Sequence, residues 1–348
     1  SFVTLRLAEH FAKDNDGDLC QTRIMKFLGV CLSASILGKV SSFAQPLSRA
    51  SAFGVRAPTR RSDVRRPTLA MSDARYTIPD QPARFAQAVA EKNVRVLDID
   101  AVFDPSSLKG LRVAVTGANR GIGLALSTEL VAVGAQVVAI VRSSSPALDA
   151  LGVAEVITGV DATDDDICGS GMCEQIKGGP IDVLINNAGY FYEPVETLDS
   201  LNFPEELKMI DICALGPLRV TSALNKGGFF KENSSRIVMI TSQGGAISWR
   251  TTQNPTGEDY GHHMSKAAAN MMAVLLSQEL KSRGIAVGIL HPGFNKTEMT
   301  AKYKEIWEIE GAVDPAVGAK RVLHEITLLD MARTGKFYNC EDGLEIPW

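Results

Sequence analysis

With 348 residues, 45% of them hydrophobic, the chain is long enough for one large folded domain with an extension. Its formal net charge of -4 conceals an asymmetry, because Met25–Met71 carries +7 and Ser72–Trp348 carries -10. A body this acidic repels phosphate backbones, whose binding requires clustered cations, so nucleic acid is not an expected partner.

Residues 1–71 read as a targeting presequence. Met25 offers a translation start, and Lys26 is followed by an apolar run, Phe27 to Leu37, too short to span a bilayer but suited to a signal-peptide core. Small residues at Ser42 and Ala44 allow cleavage. The segment from Gln45 to Met71 is then rich in Arg, Ser and Ala and almost free of acid, as transit peptides are. Signal followed by transit, with SSFAQP and ASAFGVRAP, resembles the bipartite plastid presequences of algae with secondary plastids, in which Phe43 or Phe53 would mark the first cleavage. The alternative is a disordered basic tail on a cytosolic or mitochondrial protein. DNDGDL at Asp14–Leu19 imitates a calcium loop, but Leu19 stands where the turn glycine is needed and Met25 where the bidentate acid is needed, so no metal is expected. Two of the six cysteines, Cys20 and Cys31, lie in this leader; without CxxC spacing, the other four (Cys168, Cys173, Cys213, Cys340) read as reduced thiols.

Residues 72–110 form an extension with a short helix expected over Arg84–Asn93, and Pro105-Ser106-Ser107 turns the chain into the first strand. From Leu111 apolar runs alternate with helical segments: LRVAVT, IGLALSTELVAVG, QVVAIV, EVITGV, IDVLIN, RIVMIT and IAVGIL. The alternation predicts an α/β fold, a Rossmann-type doubly wound parallel sheet in a single domain over 111–348, with strands buried on both faces. No stretch after residue 72 is apolar enough to cross a membrane.

The first strand runs into TGANRGIG, Thr116–Gly123, and then into a helix. Gly117 permits a tight turn, while Gly121 and Gly123 let backbone approach a pyrophosphate on the helix N-terminus, so Thr116, Asn119, Arg120 and Ile122 join these glycines as cofactor-site candidates. The spacing is G-x-x-x-G-x-G, not the G-x-G-x-x-G of the dinucleotide fingerprint. Arg142 ends the second strand, where an acid would hold a ribose 2'-hydroxyl and a guanidinium would pair a 2'-phosphate. Together with Arg120 it argues for NADP(H) over NAD(H).

TGxxxGIG, NNAG at Asn186–Gly189, a Ser on the fifth strand, MSK at Met264–Lys266 and PG at Pro292-Gly293 follow the order found in short-chain dehydrogenases/reductases, and the chain resembles that family over Leu111–Trp348. HPGFNKTEM and GKFYNCEDGLEIPW look like its C-factor and carbonyl-reductase-like branch. The resemblance implies that Asp161 meets the adenine, that Asn187, Ala188 and Gly189 line the ribose side, and that Pro292, Gly293 and Thr297 hold the nicotinamide. It further implies a Tyr acid/base, a Lys four residues later, a Ser on the substrate oxygen and an Asn on the preceding helix. Residues i and i+4 share a helix face, which lets the ammonium tune the acid/base and bond the ribose.

Ser242 and Lys266 fit two of these positions. Four residues before Lys266 stands His262, not Tyr, and the Asn position is Cys213. Tyr260, six residues from Lys266, faces elsewhere on a regular helix. His262 is the expected acid/base, with His263 a solvent or core residue. Trp249, Arg250, Gln253 and Asn254 would shape the pocket. These features imply an NADP(H)-dependent oxidoreductase acting on a small-molecule carbonyl or alcohol, by analogy a homodimer. The alternative is a non-catalytic NADP(H)-binding redox sensor or scaffold. Since the leader lacks a sustained core pattern, a truncation starting at Ser72 should melt at the temperature of the full chain; a large drop would show the leader to be part of the fold.

Overall fold

The computed structural model describes residues 75–167 and 171–348, so the leader and its cleavage signals lie outside the described residues. Among those residues no helix is long and apolar enough to cross a membrane.

The extension opens with helix α1 (Gln81–Ala90), which starts three residues before the expected Arg84. Asp80 explains the shift: its carboxylate accepts from the Ala83 N–H, and Pro82 in the first turn needs no donor. A short helix α2 (Val94–Leu97) and a 3-10 turn at Ser106–Leu108 lead into strand β1 (Arg112–Thr116). The chain then alternates: α3 (Gly121–Ala132), β2 (Gln136–Ile140), α4 (Pro146–Asp149), β3 (Glu155–Ile157), α5 (Met172–Gln175), β4 (Val183–Asn186) and α6 (Phe203–Ile210). A π-helical turn, Asp211–Leu215, joins α6 to α7 (Gly216–Lys226), which is followed by β5 (Arg236–Ile240), α8 (Arg250–Gln253) and α9 (Tyr260–Leu280). β6 (Ala286–His291), α10 (Pro315–Leu328) and β7 (Phe337–Asn339) complete the fold.

All strands are parallel, in the order β3-β2-β1-β4-β5-β6-β7, and the fold is the expected doubly wound Rossmann-type sheet. β1, β4 and β6 are buried along their whole length, between one core that includes Leu184, Ile237 and Phe337 and another that includes Val115, Leu126 and Leu323. Parallel strands covered by helices on both faces need apolar residues on both. The sheet order reverses between β1 and β4, the point at which open α/β sheets form a ligand-binding crevice outside the carboxyl ends of their strands. The extension belongs to the same compact unit as the sheet.

The cysteine reading needs one correction. Cys213 and Cys340 are free and buried, but Cys173 is disulfide-bonded. Absence of CxxC spacing does not decide this, because a disulfide follows from how the fold brings Cβ atoms together.

At the end of β6, His291 is 6% exposed and neither ring nitrogen has a protein partner among the described residues. Burial, only partly offset by Glu341, pushes its pKa down to about 4. The folded ring is therefore neutral where the unfolded one gains a proton, and stability present above pH ~6.5 is lost as pH falls through the folded value. This one group should cost up to about 3 kcal/mol between pH ~6.5 and pH ~4. Denaturant unfolding of the parent and His291→Leu across that range measures it; parallel pH dependences would refute the assignment.

Candidate active site

The turn after β1 is tied to the turn after β4. The Thr116 hydroxyl accepts the N–H groups of Asn187 and Ala188, both at 2.9 Å, and Asn187 Nδ2 donates to the Thr116 carbonyl at 3.0 Å. Gly123 lies so close to this knot that a Cβ there would stand 2.1 Å from the Gly117 carbonyl oxygen and 2.5 Å from Asn187 Nδ2. No side chain caps α3, whose N-cap is Arg120, so its first N–H groups open toward the crevice. An uncapped N-terminus on a backbone-lined cradle fits a dinucleotide's pyrophosphate. Asn119 shapes the turn by donating to the Ser143 carbonyl at 3.0 Å. Across the cradle, Thr297 Cγ2 lies 4.0 Å from where a Cβ on Gly121 would be, so the loop after Pro292-Gly293 closes over the same helix end as Ile122.

The two arginines diverge. Arg120 pairs with Glu298 at 3.4 Å, both side chains well exposed, whereas Arg142 lines a cavity of about 590 Å³ with Asp161, Thr163, Leu207, Lys208 and the π-helical turn. Asp161 accepts from the Thr163 N–H and hydroxyl; these bonds first, and the Arg142 charge after them, hold its pKa below the ordinary carboxylate value. Asp161 and Arg142 thus share one opening, which Arg120 does not line.

Ser242 follows β5, and its Oγ accepts from Gly244 N–H at 3.0 Å, which leaves the hydroxyl proton free to donate. The turn presses onto α9: a Cβ on Gly245 would stand 2.7 Å from the Lys266 carbonyl carbon and oxygen. The position of a Cβ on Gly244 lies 3.0 Å from His262 Nε2 and 3.2 Å from Ser242 Oγ. The Ser hydroxyl and the imidazole therefore both lie against Gly244, and Lys266 follows His262 by one helical turn.

His262 is enclosed by Phe191, edge-on at 4.7 Å between ring centroids, and by the His263 ring at 5.3 Å; its Nδ1 is buried with no protein partner. Burial pushes its pKa well below the ordinary imidazole value, and the charges of Lys266, His263, Arg250 and Lys302 push the same way. Lys302 stands over the Phe191 ring at 3.9 Å, and Tyr303 faces Phe191 at 6.5 Å, so these three stack on one side of His262. Tyr260 opens α9 as an exposed residue, on a different face from Lys266, as its spacing indicated. Cys213 sits inside the π-helical turn: its thiol donates to the Tyr190 carbonyl at 3.3 Å, and its sulfur accepts from the Tyr190 N–H at 3.4 Å. It braces the turn that follows NNAG.

His263 is neither idle core nor surface. Its Nδ1 meets the Gly244 carbonyl at 2.9 Å and its Nε2 the Asn254 amide at 3.0 Å, pinning the Ser242 turn to α9 and α8. Trp249, Arg250 and Gln253, expected to shape a pocket, instead build the scaffold: Trp249 is buried in the core, Arg250 donates to the Gln243 carbonyl at 2.8 Å and Gln253 donates to the Pro79 carbonyl at 2.6 Å.

Residues 112–306 match the short chain dehydrogenase family. C-signal of Myxococcus xanthus is 34% identical over 172 residues, covering 49% of this chain and 94% of that protein. A 3-oxoacyl-(acyl-carrier-protein) reductase of Synechocystis is 35% identical over 199 residues, covering 53% of this chain and 74% of the reductase. The NADPH-bound carbonyl reductase from chicken fatty liver superposes with a TM-score of 0.58 and 25% identity, over 69% of this chain and 100% of that one.

Proposed function

Because the chain belongs to the short-chain dehydrogenase family, we propose that it is an NADP(H)-dependent oxidoreductase that interconverts a small-molecule carbonyl and its alcohol through Ser242, His262 and Lys266. The observation that carries this reading is that Ser242 Oγ and His262 Nε2 both lie against Gly244, a helical turn from Lys266.

Thr116–Gly123 and the α3 N-terminus would hold the pyrophosphate, and Asn187, Ala188, Gly189 and Lys266 the ribose nearest the reacting end. Asp161 would meet the adenine, and Pro292, Gly293 and Thr297 the nicotinamide. Bound NADPH supplies the hydride. Ser242 donates its hydroxyl proton in a hydrogen bond to the carbonyl oxygen, and His262 delivers the proton that oxygen takes up as the alcohol forms. Burial first and the Lys266 charge after it disfavour a proton on His262, so the imidazolium is a scarce but strong acid. Phe191 and His263 cover part of the imidazole, whose Nδ1 is buried, and the lower local polarity strengthens each of these interactions. Preference for the 2'-phosphate rests on Arg142 at the Asp161 cavity, with Arg120 free to swing from its exposed partner Glu298.

Two experiments test this. His262→Ala should lose carbonyl reduction by about 100-fold or more while NADPH affinity stays within about twofold. The parent's rate should fall with rising pH from an acidic limb, below the ordinary imidazole value near 6.5, because protonated His262 is consumed there. Undiminished reduction by His262→Ala would reject the role, and NADPH binding with no reduction across a broad carbonyl panel would favour the cofactor-binding alternative. Separately, Arg142→Ala should reduce the ratio of NADPH to NADH affinity about tenfold, read by titrating both cofactors. An unchanged ratio would remove Arg142 from cofactor choice.

A further inference from the structure

The family match begins at residue 112, yet α1 of the extension reaches the reacting end of the site. Arg84, 6% exposed, turns one nitrogen, Nη2, to three partners: Glu341 Oε2 at 3.0 Å, Gln243 Oε1 at 3.1 Å and Gln81 Oε1. Gln81 repeats the pattern. Its Nε2 donates to both Glu341 oxygens at 3.2 Å and its Oε1 accepts from Gln243 Nε2 at 3.3 Å.

Each partner leads to a different half of the site. Gln243 is the neighbour of Ser242 in the same turn. Glu341 Oε1 accepts from the Phe294 N–H at 3.3 Å, and a Cβ on Gly293 would stand 2.6 Å from Glu341 Cγ. The carboxylate therefore lies directly beneath the Pro292–Asn295 turn. Burial alone would raise its pKa, but the Arg84 charge, with Arg321 and the Gln81 amide, outweighs burial and holds it below the ordinary carboxylate value, so it needs the guanidinium opposite it. The contact is also tightly seated: a Cβ on Gly311 would stand 2.3 Å from the Phe85 ring, the residue after Arg84.

We propose that Arg84 is a positioning residue, which sets the Ser242 turn relative to the Pro292–Asn295 turn through Gln243 and Glu341 and makes α1 a working part of the site. The inference rests on the proposed function only in taking those turns as the substrate-oxygen and nicotinamide sides. A small misplacement of reacting groups costs far more rate than binding, which predicts a selective loss of turnover.

The test uses the full chain and the variants Arg84→Ala, Arg84→Lys, Gln243→Ala and Arg84→Ala/Gln243→Ala. Folded Arg84→Ala should lose kcat for a reducible carbonyl by roughly tenfold or more, with the Kd for 2'-phospho-ADP-ribose within about twofold. Millimolar guanidinium should restore part of that kcat, and the double variant should be no slower than Arg84→Ala. Unchanged kcat in Arg84→Ala, or independent losses that multiply in the double variant, would overturn the proposal. If Arg84→Ala does not fold, Arg84→Lys and Gln243→Ala decide, and normal turnover in both would overturn it. If the parent binds NADPH but reduces no carbonyl, the proposed function fails by itself. Arg84 is then judged by the fluorescence of bound nicotinamide, which should change in Arg84→Ala and recover with guanidinium; an unaltered signal would overturn its role.

Discussion

One hydroxyl fixes the frame of the site. Thr116 closes β1 by accepting both N–H groups at the end of β4, where the strand order reverses and no ladder bond continues. Two backbone donors without that acceptor would each cost about 1–3 kcal/mol, so the two turns are held as one piece. Gly123 then sets α3 on the knot at a distance that no side chain could share. The helix end that can receive a pyrophosphate is therefore aimed by the same contact that places Asn187 and Gly189. Cys213, bonded to the next backbone unit at Tyr190, extends the frame toward the reacting end.

The sequence reveals those parts of this arrangement whose causes are local. Six strands are legible because each is a short apolar run, β1, β4 and β6 being buried along their whole length, and the glycine loop is legible because close approach demands glycine at fixed spacing. β7 is only three residues long and looks like ordinary tail. β3 stops at Ile157, before the end of EVITGV, and Gly159 just beyond it takes a positive φ of 75° that suits a turn. The Arg84–Glu341 pair spans 257 positions, and a buried ion pair at that separation has no periodicity to betray it. His263 was hidden for a related reason. Its clamp on Gly244 depends on a turn whose shape is fixed only once Gly245 packs against α9.

The substitution at His262 is more than a change of pKa. A lysine four residues along lowers the pKa of either a phenol or an imidazole, but with different consequences: a phenol becomes easier to ionise, whereas an imidazole becomes harder to protonate. The two site chemistries thus respond oppositely to the same ammonium. On the proposed reading, fewer His262 rings carry the extra proton at neutral pH, yet each imidazolium is a stronger acid, and the two effects partly cancel in the rate.

Between turnovers the neutral ring carries one proton, and the structure bears on where it sits. Nδ1 is buried with no acceptor in reach, while Nε2 lies against Gly244, as Ser242 Oγ does. A buried N–H without an acceptor is among the rarest arrangements in folded proteins, so the Nδ1–H tautomer is the costlier one. The proton therefore rests on Nε2, beside the Ser242 hydroxyl. A carbonyl oxygen within hydrogen-bond reach of both groups would meet two donors before any charge is transferred, which is how a neutral imidazole can polarise a substrate in a cationic pocket.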